Sequence, residues 1–133
     1  MDYQAFINTV NKIACVVSVK INPDGTPGDL CIEAANDLYL KSLNIDNCTE
    51  LSHLDCQENE IETLDISKCT KLRYINCESN ELEALDVSKA YDLNTLVCGK
   101  NSILDVDVSK NKDLLYLDCH LNPLKLLDRE VDR

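Results

Sequence analysis

From Thr49 onward the chain repeats one pattern every 21 residues: TELSHLDCQENEIETLDISKC (49–69), TKLRYINCESNELEALDVSKA (70–90), YDLNTLVCGKNSILDVDVSKN (91–111) and KDLLYLDCHLNPLKLLDREVD (112–132). Four columns are identical in all four blocks: Leu51, Leu72, Leu93, Leu114; Cys56, Cys77, Cys98, Cys119; Asn59, Asn80, Asn101, Asn122; and Asp65, Asp86, Asp107, Asp128. A block this short cannot bury its apolar side alone, so the blocks must stack as coils and share one core. The alternation through Leu54 and Cys56 is that of a short strand, two residues inward with polar neighbours outward. Stacked strands of this kind form a parallel sheet with rungs about 4.8 Å apart.

The asparagine column answers a backbone question. Where the chain leaves the strand, its N–H and C=O groups lose the ladder while still close to the core. A side-chain amide carries both donors and an acceptor, so one per coil at a fixed place is expected to bond neighbouring turns and to be structural. The second half of each block alternates as well, through Ile61, Leu64 and Ile66, then Leu82, Leu85 and Val87, then Ile103, Val106 and Val108. Its β-branched content favours a second strand or an extended run over a helix. The SKC, SKA and SKN that follow read as the turn closing each coil.

Counted from Leu51 and its equivalents, Leu at the first and fourth positions, a small apolar residue at the sixth and Asn at the ninth resemble the leucine-rich repeat family, over about 80 of the 133 residues. The repeats resemble internalin-like bacterial arrays rich in LDVSKN and LDCxxN. This resemblance implies a mostly β solenoid with a parallel sheet on the concave side and extended strands or turns on the convex side. It also hints at a bacterial origin and, by analogy of fold only, a binding role.

Before the repeats, Tyr3, Phe6, Ile7, Val10 and Ile13 fall at helical spacing. ACVVSVKI reads as a strand, INPDGTPG as a turn and DLCIEAA as a returning strand. Residues 1–27 are therefore expected to form an N-terminal helix plus hairpin that caps the open first rung, followed by a degenerate first coil over 28–48 and four repeats over 49–133. A step of 21 places Leu30 in the Leu51 column, Glu33 at the Leu54 position, Leu38 at the Asn59 position and Leu40 under Ile61, so only the back half of that coil looks present. Residues 1–45 also look like the opening of a PAS-type sensor domain, with a hairpin running into Ala35–Asn36 and a short helix. At the other end, Arg129 replaces an inward Ile and DREVDR offers little cap, which exposes that end to self-association.

Eight cysteines raise disulfide and metal readings, and spacing opposes both. Cys56, Cys77, Cys98 and Cys119 recur at an inward strand position, where their side chains run parallel instead of facing one another, and zinc-type CxxC or CxxH pairs are absent from the sequence. A column of free, buried thiols is expected, which fits a reducing compartment. The N-terminus lacks the basic region of a secretory signal, and no stretch reaches the roughly 18 apolar residues of a membrane span. The chain as given therefore reads as cytoplasmic, or secreted if it is a piece trimmed from a larger secreted protein.

A net charge of −11 opposes nucleic acid and anionic membranes as partners and leaves a basic protein or peptide open. The outward strand columns carry His53, Tyr74, Thr95, Tyr116, then Asp55, Asn76, Val97, Asp118, then Gln57, Glu78, Gly99, His120. Within these, His53, Asp55, Tyr74, Asn76, Thr95, Val97, Tyr116, Asp118 and His120 are the candidate partner-binding residues, because Tyr gives broad contact area at low entropy cost. His53 and His120 lie three coils apart in different columns with no outward nucleophile beside them, so no catalytic residue, metal or cofactor is expected. The aspartate column is expected to accept local backbone or serine hydrogen bonds, helped by Lys68, Lys89 and Lys110, rather than to hold calcium. The function expected is non-enzymatic binding of a protein or peptide. The alternative is a regulatory or sensory fragment in which the PAS-like segment carries the signal.

Overall fold

A computed structural model of the protein describes residues 16–21, 27–33 and 39–124. Six strands, β1 (Val16–Ile21), β2 (Pro27–Glu33), β3 (His53–Asp55), β4 (Tyr74–Asn76), β5 (Thr95–Val97) and β6 (Tyr116–Asp118), form one sheet in chain order. β1 and β2 are antiparallel, with a register shift between Lys20 and Ile21; every later pair is parallel. Each parallel step from β3 to β6 advances 21 residues, as in His53 to Tyr74 to Thr95 to Tyr116. The described residues are a mostly β solenoid. The helix expected over residues 2–13 lies outside them.

The core is the repeat's own apolar pattern, stacked. Leu51, Leu72 and Leu93 are fully enclosed, as are Leu54, Ile75 and Leu96, and Cys56, Cys77 and Cys98. On the back of the coil, Ile61, Leu64 and Ile66 and their equivalents Leu82, Leu85 and Val87 point inward and are buried. No second sheet forms there among the described residues; the segment runs extended into a turn. Asp65, Asp86 and Asp107 cap that turn, each accepting the backbone N–H of Ser67, Ser88 or Ser109 at 2.9 Å. Hydrogen bonds from these serines, and then the neighbouring Lys68, Lys89 and Lys110, hold the three carboxyls below the usual carboxylate range.

The four asparagines hold the front turns. The Asn80 amide donates to the carbonyls of Cys56, Cys77 and Glu78 while its oxygen accepts the Ile61 N–H at 2.9 Å, so it ties its own coil to the one before. Asn59, Asn101 and Asn122 repeat the arrangement. The residue before each amide, Glu58, Ser79, Lys100 or Leu121, has a φ of 53–58°, in the left-handed region. Sequence reading missed this column because no glycine marks it.

The first rung differs from the sequence expectation. Leu30 pairs with Leu54, not Leu51, and Ile32 falls opposite Cys56, with both Leu30 and Ile32 buried. The front half of the first coil is thus present, three residues out of step with the 21-residue period. Leu40 nevertheless keeps the place expected of it, its N–H bonding Asn59 as the Ile61 N–H bonds Asn80. The extra residues are taken up between β2 and Leu40. Alternation of Leu30 and Ile32 with polar neighbours is the signal that locates the rung.

At the other end the shelter is incomplete. Leu117 stands in the column of Leu54, Ile75 and Leu96, yet it is 41% exposed, and Leu115 and Leu121 are 88% and 70% exposed. β6 has no strand on its far side among the described residues, and its free edge is the surface the sequence expectation of self-association invokes.

Candidate functional site

The outward face of the sheet is short, and the parallel register sets its side chains in lines. His53 and Tyr74 lie on adjacent rungs with ring centroids 4.1 Å apart and planes 2° from parallel. Thr95 follows on the next rung, and Tyr116 ends the line with 54% of its surface exposed. In the neighbouring column Asp55, Asn76 and Asp118 turn their oxygens toward their own chain, accepting the N–H of Gln57, Glu78 and His120. Val97 is half-buried between them. Thus the aromatic line is offered outward, while the oxygens beside it brace the exit from each strand.

His120 has neighbours that column reading did not find. Its Nδ1 lies 2.5 Å from Asp118 Oδ1 and 4.0 Å from Glu78 Oε1, two coils away. Hydrogen bonds from His120 hold the Asp118 carboxyl below its usual range. Gly99 occupies the intervening rung. A Cβ built there would come within 2.5 Å of Nδ1, so the imidazole lies across space that only glycine leaves open. Glycine in a column otherwise filled by Gln57, Glu78 and His120 was the available signal. His53 is not part of this group.

Beside the strand face, an open groove of about 780 Å³ runs past the asparagine turns, lined by Lys41, Glu60, Glu62, Glu81, Glu83, Ser102, Leu104 and Pro123. Four carboxylates against one amine make it acidic.

Behind the face stands the thiol column. The seven cysteines described, Cys31, Cys48, Cys56, Cys69, Cys77, Cys98 and Cys119, are all free. Burial pushes the Cys56, Cys69 and Cys98 thiols up to about 12 and Cys77 well above its ordinary value, so they stay protonated and act as small apolar groups.

Among solved structures, the functional domain of InlJ from Listeria monocytogenes, described as including a cysteine ladder, matches with 29% identity and a TM-score of 0.55, over 63% of this chain and 24% of that one. The chain is similar to the internalins. Two further internalins of the same organism share its fold: InlC2 (18% identity, TM-score 0.64, 66% of this chain and 41% of that one) and InlF (22%, 0.57, 61% and 25%). This internalin-like chain therefore spans between a quarter and two fifths of the structures it resembles. Neither protein-family models nor curated proteins gave a match. Nothing in the comparisons supports a PAS relationship, and β2 pairs in parallel with the first repeat strand, as the first rung of the internalin-like solenoid.

Proposed function

We propose that the chain is a non-enzymatic recognition module that binds a protein or peptide across its strand face. The observation that carries this reading is the aromatic line of His53, Tyr74 and Tyr116, held on a rigid parallel sheet with Tyr116 open to solvent. A stacked, pre-ordered ring loses little entropy on contact and buries a large area, which is what an interface anchor needs. The acidic groove beside it and the net charge of −11 favour a partner with basic side chains. Thr95, on the rung between Tyr74 and Tyr116, supplies a low step between the rings, over which an extended peptide can lie.

Affinity capture of a partner from cell extract, by the wild-type chain and by Tyr74→Ser/Tyr116→Ser, tests this. The double variant is expected to lose capture. Its melting temperature should fall by only a few degrees, since both rings are at least partly solvent-exposed and leave no closed cavity. Undiminished capture of the same partner by the double variant moves recognition off this face.

A further inference from the structure

Three ligand-bearing side chains converge on one point of the solenoid surface: Glu78 from the β4 coil, and Asp118 and His120 from the β6 coil. One oxygen of each carboxylate and a ring nitrogen of the imidazole all lie within 4.8 Å of one another. We propose that they form a divalent-cation site of the zinc type, with Glu78, Asp118 and His120 Nδ1 as ligands.

The site is assembled by stacking, not by sequence proximity. Glu78 and His120 share a column but are separated by a full coil, and ordinarily the intervening side chain would keep them apart. Gly99 removes that side chain. The imidazole folds into the vacated space, with Nδ1 as near as 2.5 Å to where a Cβ would stand, and this turns the nitrogen toward both carboxylates. His120 and Asp118 are further fixed by the backbone, because Asp118 Oδ1 also accepts the His120 N–H at 3.1 Å. Their loop is pinned in turn by Asn122, which donates to the His120 carbonyl.

Ligands about 2.1 Å from a tetrahedral zinc lie about 3.4 Å from each other. His120 and Asp118, at 2.5 Å, have to part by roughly 0.9 Å, and His120 and Glu78, at 4.0 Å, have to close by roughly 0.6 Å. Side-chain torsions of half-exposed residues supply both movements. The proton that joins Nδ1 to Asp118 moves to Nε2 or to solvent, leaving the Nδ1 lone pair for the metal.

One imidazole and two carboxylates suit zinc or a neighbouring first-row divalent ion better than calcium, which takes six to eight oxygen ligands. Three protein ligands leave the fourth tetrahedral position to water or an exogenous group.

The buried cysteines are the competing zinc ligands, and cobalt separates the two. The full chain, kept reduced, is titrated with Co2+ and then with Zn2+, and the absorption spectrum is followed. One equivalent of Co2+ is expected to bind with weak visible bands and without the intense near-ultraviolet band of thiolate ligation, and Zn2+ should displace it. His120→Ala and Gly99→Ala should each weaken binding by roughly 100-fold, and Glu78→Gln by at least about 10-fold. His120 and Glu78 are at least partly exposed, so their variants are expected to fold even if Gly99→Ala does not. A wild-type chain that takes up no Co2+ or Zn2+ at micromolar concentration overturns the proposal. So does a thiolate band, or unchanged affinity in His120→Ala and Glu78→Gln.

Discussion

Asn80→Ala is expected to lower the unfolding free energy by about 3 kcal/mol, read from chemical denaturation of the purified chain. The amide is 7% exposed and makes four hydrogen bonds, to the carbonyls of Cys56, Cys77 and Glu78 and from the Ile61 N–H. Truncation leaves the Ile61 N–H buried without a partner and takes one of two donors from each of the Cys56 and Cys77 carbonyls, which keep only Asn59 and Asn101. Each such loss costs about 1 kcal/mol or more, because no water replaces the missing group. Asn122 makes the same bonds at the more open end of the stack, where water reaches some of them. Asn122→Ala should therefore cost less than half as much. Equal losses at the two positions would mean that the amides contribute through local turn geometry alone, without the burial that stacking provides.

Leu72→Ala is expected to cost about 3–5 kcal/mol, and it should do so cooperatively, with a single unfolding transition shifted to lower denaturant. Leu72 is fully enclosed between Leu51 and Leu93, its counterparts in the coils on either side. A cavity there removes contacts from two interfaces at once, and each interface is a nearest-neighbour contribution to the stability of the whole array. Leu114 holds the same column at the open end and is only partly buried. Leu114→Ala should therefore cost roughly half as much or less, because the side chain already meets water.

The sequence made the repeated coils legible because the 21-residue period fixes which side chains share a column, and columns are what a solenoid buries. Leu, Cys and Asn could be placed inward from pattern alone, and the aspartate turn from its Ser neighbour. The first rung was misplaced because a period was carried past the point where it holds. Leu30 and Ile32 keep the strand alternation, but three extra residues between β2 and Leu40 break the step, and alternation should have outweighed spacing there. The left-handed residues Glu58, Ser79, Lys100 and Leu121 had no glycine to announce them. The approach of His120 to Glu78 was hidden for another reason: it depends on a side chain reaching across a gap at Gly99, and columns record which residues are neighbours in stacking but not which way a ring folds. On the strand face, the aromatic line follows from register, whereas the 4.1 Å stacking of His53 on Tyr74 depends on rotamers.

Counting alkylated cysteines by mass spectrometry, on the folded chain and again in denaturant, tests the shared core most directly. In the folded chain Cys31 and Cys119, both partly exposed, should label first, while Cys56, Cys77 and Cys98 stay unmodified and then react together only as fast as the whole array opens. Rapid labelling of any of those three in the folded chain, or a disulfide joining two of them, contradicts a dry core built by stacking identical coils.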